Sequence, residues 1–207
     1  VLDTYRDLAA ALNIVLGVHG YDCQDPQDLR PYVSRGALAM VCRATGLDPE
    51  EEVAKKLWSE MLDAYKQETS TQTTLFPGMD QVLEHLSDQE IPWGIVTNKP
   101  GYYTHKLLDE LNLKWQPMVV ISGDTLSVKK PHPEPLLAGC ERLGVTPGYS
   151  VYVGDDRRDI EAGKRAGMST IAVSYGYFPP GETPEAWQAD HLVHQADALL
   201  ELISEAS

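Results

Sequence analysis

Three cysteines, Cys23, Cys42 and Cys140, are too few and too scattered for a disulfide framework, and without a C-x-x-C pair they offer no thiolate zinc site. A reducing, cytoplasmic setting is the simplest expectation. Basic residues are scarce too. The 17 Lys plus Arg stand against 31 Asp plus Glu, a net charge of −14, so the positive footprint needed to bind a polyanionic backbone is lacking and no nucleic-acid partner is expected. Long apolar runs are also missing. Stretches such as Met118-Val119-Val120-Ile121 fall far short of the roughly 18 residues that span a bilayer, so no membrane partner is expected. The opening, Val1-Leu2-Asp3-Thr4, is neither an initiator Met nor a basic, apolar signal peptide, and we expect residues to be missing upstream.

What is present is a globular composition, 43% apolar and 23% charged, over 207 residues, enough for one elaborated domain or two small ones. From Thr4 to about Lys66, Leu8, Leu12, Val15, Leu16, Leu38, Val41, Val53, Leu57 and Met61 recur at helical spacing. Thr4 with Asp7 reads as a capping box, and Glu51-Lys55 and Glu52-Lys56 as i,i+4 pairs on a solvated face. The polar stretch Ser70–Thr74, followed by Phe76-Pro77-Gly78, predicts a linker between two units, a helical segment over 1–75 and a remainder over 76–207.

Beyond the linker the period changes. Strands are expected at Pro92–Thr97, Met118–Ser122, Ser150–Val153 and Thr170–Ser174, with helices at Tyr102–Leu111, Glu134–Leu143, Asp159–Ala166 and Ala196–Ile203. Such alternation predicts an α/β fold, a doubly wound parallel sheet whose ligands bind in the crevice at the strands' carboxyl ends. Three of those ends carry polar groups: Thr97-Asn98-Lys99, Gly123-Asp124 and Gly154-Asp155-Asp156. Lys129-Lys130-Pro131-His132-Pro133 lies between the last two, its prolines stiffening a loop that delivers a Lys ammonium. Hydroxyl and amide donors, a cation and carboxylates that hold Mg²⁺ suit a phosphoryl group. Taken singly, each piece is equally at home in ordinary turn or surface chemistry; their joint placement is what points to a site.

At these residues the chain resembles the haloacid dehalogenase superfamily of phosphatases, through Val96-Thr97-Asn98, Lys130 in Val128-Lys129-Lys130-Pro131, and Gly154-Asp155 through Asp159. The resemblance implies a Rossmann-like core with an inserted α-helical cap, residues 1–7 being the remnant of the N-terminal core segment. Within the superfamily, Gly123 through Pro133 is most similar to the phosphoglycolate phosphatase branch. Gly154 through Glu161, Tyr175-Gly176-Tyr177, and Trp187 with Ala189-Asp190 look like N-acetylmuramic acid 6-phosphate phosphatases, so the substrate stays open between the two. The family's D-x-D-x-T nucleophile loop does not occur in these 207 residues, and we expect it to precede Val1.

The resemblance implies hydrolysis through an aspartyl-phosphate formed by that absent Asp. Thr97 and Asn98 would hold the phosphoryl oxygens and Lys130 would offset charge. Asp155 would ligate Mg²⁺ (or Mn²⁺), with Asp156 as a second ligand or support, and Asp159 either at the metal or orienting Lys130. In Tyr32-Val33-Ser34-Arg35-Gly36, Arg35 is suited to grip a substrate carboxylate, its alternative being an exposed cap residue. His132 reads as structural, His191-x-x-His194 as part of a final strand-like segment, and Cys42 and Cys140 as core. The expected partner is a small-molecule phosphate ester and the expected state a monomer or weak homodimer. The rival class is a non-catalytic relative that binds phosphorylated ligands.

Overall fold

The computed structural model describes residues 1–67 and 70–205. A short strand β1 (Leu2–Asp3) pairs antiparallel with β2 (Thr74–Leu75), Leu2 opposite Leu75 and Asp3 opposite Thr74. The elements between them are helical: α1 (Tyr5–Val18), α2 (Pro26–Leu29), a 3-10 turn over Arg30–Arg35, α3 (Ala37–Thr45) and α4 (Glu52–Gln67). Leu8, Leu12, Val15 and Leu16 form one apolar face of α1. That face closes on Met40 and Val41 of α3 and on Leu57, Met61 and Tyr65 of α4. Truncating a fully buried Leu such as Leu12 to Ala removes about 2–5 kcal/mol.

The capping box expected at Thr4 and Asp7 does not form. Thr4 makes no side-chain cap, and the buried Asp7 carboxylate accepts from the Gln72 N–H at 2.9 Å and the Thr73 hydroxyl at 2.6 Å. A carboxylate taken out of water needs donors, and the β1–β2 pairing brings those of the departing chain within reach. The expected linker is thus partly a strand. On α4 the pairs also differ: Lys55 meets Glu52 and Glu50, and Lys56 meets Glu60.

In the second part, β3 (Gly94–Val96) runs parallel to β4 (Val119–Ile121), and β5 (Val151–Gly154), β6 (Ser169–Val173) and β7 (His191–Val193) form a parallel sheet in that order. Helices α5 (Met79–Asp88), α6 (Gly101–Leu111), α7 (Glu134–Leu143), α8 (Arg157–Ala166) and α9 (Leu199–Glu205) complete it. The period-2 alternation of β6 shows the double winding directly. Ile171 and Val173 pack with Met79, Val82 and Leu83 of α5 and Leu199 of α9, whereas Ala172, on the other face, packs with Ile160 of α8. The fold is therefore a Rossmann-like α/β arrangement.

The parallel ladders fall into two groups, β3–β4 and β5–β6–β7, and β3 and β5 share no backbone ladder among the described residues. Side chains bridge them instead: the Lys130 ammonium and the Tyr152 hydroxyl donate to the Val96 carbonyl at 2.8 and 3.0 Å.

Candidate active site

The Thr97 N–H continues the β3 ladder to the Ile121 carbonyl at 2.9 Å, which fixes the residue at the strand's end. Its hydroxyl oxygen accepts from the Lys99 N–H at 3.1 Å, leaving the O–H free to donate. Asn98 is committed differently. Its amide nitrogen donates to the Lys130 carbonyl at 3.0 Å and its amide oxygen accepts the Lys130 N–H at 3.1 Å, so it splints the loop carrying the lysine and keeps one amide hydrogen in hand.

Lys130 is buried and spends all three donors, on Val96 O and Tyr152 Oη at 2.8 Å each and on Asp159 Oδ1 at 2.7 Å. Burial alone would lower its pKa, but the Asp159 charge and Tyr152 outweigh it and hold the ammonium above its ordinary value.

The three acidic residues after β5 have separate duties. Asp159 completes a capping box on α8: its Oδ2 accepts the N–H groups of Asp155 and Asp156 at 3.2 Å each, so both its oxygens are engaged. Asp156 caps the same helix through the Arg158 N–H and is held bidentately by the Arg158 guanidinium at 2.8 Å per bond. Burial pushes the Asp156 carboxyl up, but the bonds from Arg158 bring it below the usual range. Asp155 alone keeps an oxygen unengaged among the described residues, since only its Oδ2 is bound, by the Tyr177 N–H at 2.8 Å. Burial, and then the Asp159 charge, raise its pKa.

Two glycines make this packing possible. A Cβ on Gly154 would lie 2.2 Å from the Asp159 Cβ, and one on Gly176 2.1 Å from the Asp155 Cβ. Tyr177 ties the start of the chain to the acidic loop, its hydroxyl donating to Asp3 Oδ1 at 2.6 Å and accepting the Thr4 N–H at 2.7 Å.

The 3-10 turn over Arg30–Arg35 leans on the same region. Arg30 donates to the Tyr175 carbonyl at 2.6 Å, Arg158 to the Ser34 carbonyl at 2.6 Å, and Arg35 pairs with Glu182. Arg35 is thus beside the site with its charge already answered by a protein carboxylate.

Mg²⁺ needs only one or two carboxylates, with waters and phosphate oxygens completing its octahedron. Asp155, with one free oxygen at a strand end, fits that demand, whereas Asp156 and Asp159 are taken. No cluster of three or more His, Cys, Asp or Glu side chains able to hold a metal occurs among the described residues. His132 Nδ1 accepts the Glu134 N–H at 3.2 Å, His194 Nδ1 pairs with Ser174 Oγ at 2.7 Å, Cys140 is buried and Cys42 half-buried. Sequence reasoning missed Tyr152, Arg158 and Tyr177 as positioning groups, although Arg158 and Tyr177 stood in runs already singled out and Tyr152 in an expected strand.

The family profile described as haloacid dehalogenase-like hydrolase matches residues 1–173. The chain belongs to the haloacid dehalogenase-like hydrolases. It is 42% identical over 202 residues to a phosphoglycolate phosphatase of Xanthomonas campestris, covering 97% of this chain and 90% of the relative. It is 36% identical over 206 residues to an N-acetylmuramic acid 6-phosphate phosphatase of Pseudomonas putida, covering 100% of this chain and 92% of the relative. Among solved structures, that of a predicted phosphoglycolate phosphatase from Haemophilus somnus superposes with a TM-score of 0.84 at 23% identity, covering 98% of this chain and 93% of that one, which speaks to the fold. This hydrolase is an enzyme of a family whose matched curated relatives are named phosphatases. No helix among the described residues is long and apolar enough to cross a membrane.

Proposed function

We propose that this hydrolase is a Mg²⁺-dependent phosphatase of small, carboxylate-bearing phosphate esters, phosphoglycolate first among them. The observation that carries the reading is the division of labour after β5: Asp156 and Asp159 are consumed in holding the turn and Lys130, while Asp155 keeps one carboxylate oxygen for a ligand. Bound through Asp155, Mg²⁺ supplies charge stabilisation for phosphoryl oxygens. The Thr97 O–H donates to a phosphoryl oxygen, and the Asn98 splint fixes Lys130 where its charge offsets that of the phosphoryl group. The helical segment between β1 and β2 acts as a cap over the strand ends, with Asp7 tying its entry to its exit. Arg35 can grip the substrate carboxylate only by leaving Glu182.

The nucleophile belongs to a D-x-D-x-T segment, which residues 1–207 do not contain. Its Asp attacks phosphorus to form an aspartyl-phosphate, and a neighbouring Asp protonates the leaving alcohol and then activates water. A second reading, hydrolysis of N-acetylmuramic acid 6-phosphate, is favoured by the relative matched along the whole of this chain. The test is hydrolysis of both esters by the chain joined to a D-x-D-x-T segment ahead of Val1. Mg²⁺-dependent turnover that is abolished by chelator is expected, with none from residues 1–207 alone. Turnover in excess chelator overturns the reading, and retained ester binding without any turnover favours a non-catalytic phospholigand-binding relative.

A further inference from the structure

Lys99 follows Thr97 and Asn98 off the end of β3, and no role above uses it. Its backbone is pinned: the N–H donates to Thr97 Oγ1, and the carbonyl accepts the Gly123 N–H at 2.8 Å. The side chain crosses to the helical segment, where Nζ donates to the Tyr65 hydroxyl at 2.8 Å and sits 4.6 Å from the centre of that ring. Tyr65, on α4, is 1% exposed and packs against Tyr103 of α6. An ammonium is therefore held at the junction of the helices and the strand ends, two residues from the free Thr97 hydroxyl.

Among the described residues it has no counter-ion. Nearby, Lys130 has Asp159, Arg158 has Asp156 and Arg35 has Glu182, while Arg30 is spent on the Tyr175 carbonyl between the rings of Tyr5 and Tyr177. Lys99 has a phenol and a ring, and among the described residues its Nζ makes no ion pair. Asp7 stabilises its charge from a distance, but that carboxylate is already taken by Gln72 and Thr73. Burial lowers the Lys99 pKa to about 8, and Asp7 only partly opposes the shift. Keeping a desolvated cation without an acid partner works against stability, and the arrangement becomes intelligible when an anion arrives with the ligand.

We propose that Lys99 is a specificity residue that receives the substrate carboxylate while the Thr97 hydroxyl takes the phosphoryl end. The inference rests on the phosphatase reading above and deepens it. The substrate class it selects is a small phosphomonoester carrying a carboxylate a few bonds from phosphorus. A phenol and an aromatic face leave the ammonium room for a further acceptor, which Lys130, with its donors filled, does not have.

The test is calorimetric binding of phosphoglycolate and of carboxylate-free methyl phosphate, with Mg²⁺, to the chain joined to a D-x-D-x-T segment ahead of Val1 whose nucleophilic Asp is replaced by Asn to stop turnover, here called the unmutated chain. The unmutated chain should prefer phosphoglycolate at least tenfold. Lys99→Met should cut that preference tenfold or more, and Lys99→Arg should restore most of it. If Lys99 merely pins α4, Tyr65→Phe should mimic Lys99→Met; as a carboxylate reader, it should keep the preference. Should Lys99→Met not fold, ¹³C-dimethylation of the lysines gives an independent reading: the Lys99 resonance should shift with phosphoglycolate and not with methyl phosphate. An unchanged preference in Lys99→Met, mimicry by Tyr65→Phe, or an unmoved Lys99 resonance overturns the proposal alone. Failure of the unmutated chain to bind either ester overturns the phosphatase reading and this inference with it.

Discussion

Lys130 Nζ lies 2.7 Å from Asp159 Oδ1, and the other oxygen of that carboxylate receives the N–H groups of Asp155 and Asp156. One acidic side chain therefore positions the buried cation and also shapes the turn that presents the candidate metal ligand. Charge placement and backbone geometry are coupled through it.

Lys130→Met should consequently cost stability as well as turnover. Removing one partner of a buried pair strands the other, a loss on the order of 3–5 kcal/mol. Asp159→Asn should cost a comparable amount, because an amide offers the ammonium no charge. The double variant should lose far less than the sum. Urea unfolding of the four chains measures the coupling, and strict additivity would show that the 2.7 Å contact contributes nothing.

Asp155→Asn should behave in the opposite sense. Burial and the Asp159 charge both disfavour the Asp155 carboxylate, so neutralising it should leave the metal-free fold as stable or slightly more so, while Mg²⁺ affinity falls tenfold or more. Gly176→Ala probes the same ligand by steric means, since its Cβ would fall 2.2 Å from Asp155 Oδ2 and drive the carboxylate out of place. Mg²⁺ titration of both variants should show weakened binding. Wild-type affinity in both would remove Asp155 from the metal site.

The core was legible in the sequence because its signals are local. Short β-rich runs ending in Thr97, Ser122 and Val153 placed β3, β4 and β5 within two residues, and α7 was placed to the residue. β1 and β2 escaped notice because two-residue strands carry no periodicity and exist only through each other. Asp7 was misread for a related reason: its donors, Gln72 and Thr73, lie far along the chain, and a local motif competed for the assignment. The site residues could be named in advance, and the resemblance offered Asp155 as the ligand and Asp159 as a residue orienting Lys130, the contact seen at 2.7 Å. Nothing in the run Gly154 through Asp159 tells that Asp156 meets Arg158. Those partners arrive from the 130 loop, α8 and the Tyr177 segment, and only folding brings them together.

The last prediction concerns Lys99 and alkaline pH. Its folded pKa, about 8, lies below the ordinary lysine value of 10.5, so the folded chain gives up this proton before the unfolded chain does. Stability rises with pH wherever the unfolded state binds more protons. Below about pH 8 the full cost of burying the charge is present; between there and about 10.5 it is relieved, by at most about 3 kcal/mol. The groups facing the ammonium are Tyr65 on α4, with Tyr103 of α6 behind it, and Asp7 on α1. Burial holds both tyrosines above their ordinary pKa, which leaves the lysine as the group that titrates in this window. Subtracting the pH profile of Lys99→Met from that of the unmutated chain, by urea unfolding from pH 7 to pH 10.5, should isolate a difference that shrinks as pH rises. Lys99→Met should be the more stable chain at neutral pH and lose that advantage in alkali. Over the same window, affinity for phosphoglycolate should fall about tenfold per pH unit above 8, while affinity for methyl phosphate, which carries no group for Lys99 to read, should not follow it. A flat difference profile would mean that Lys99 is not desolvated, and parallel losses for both ligands would place its charge on the phosphoryl end.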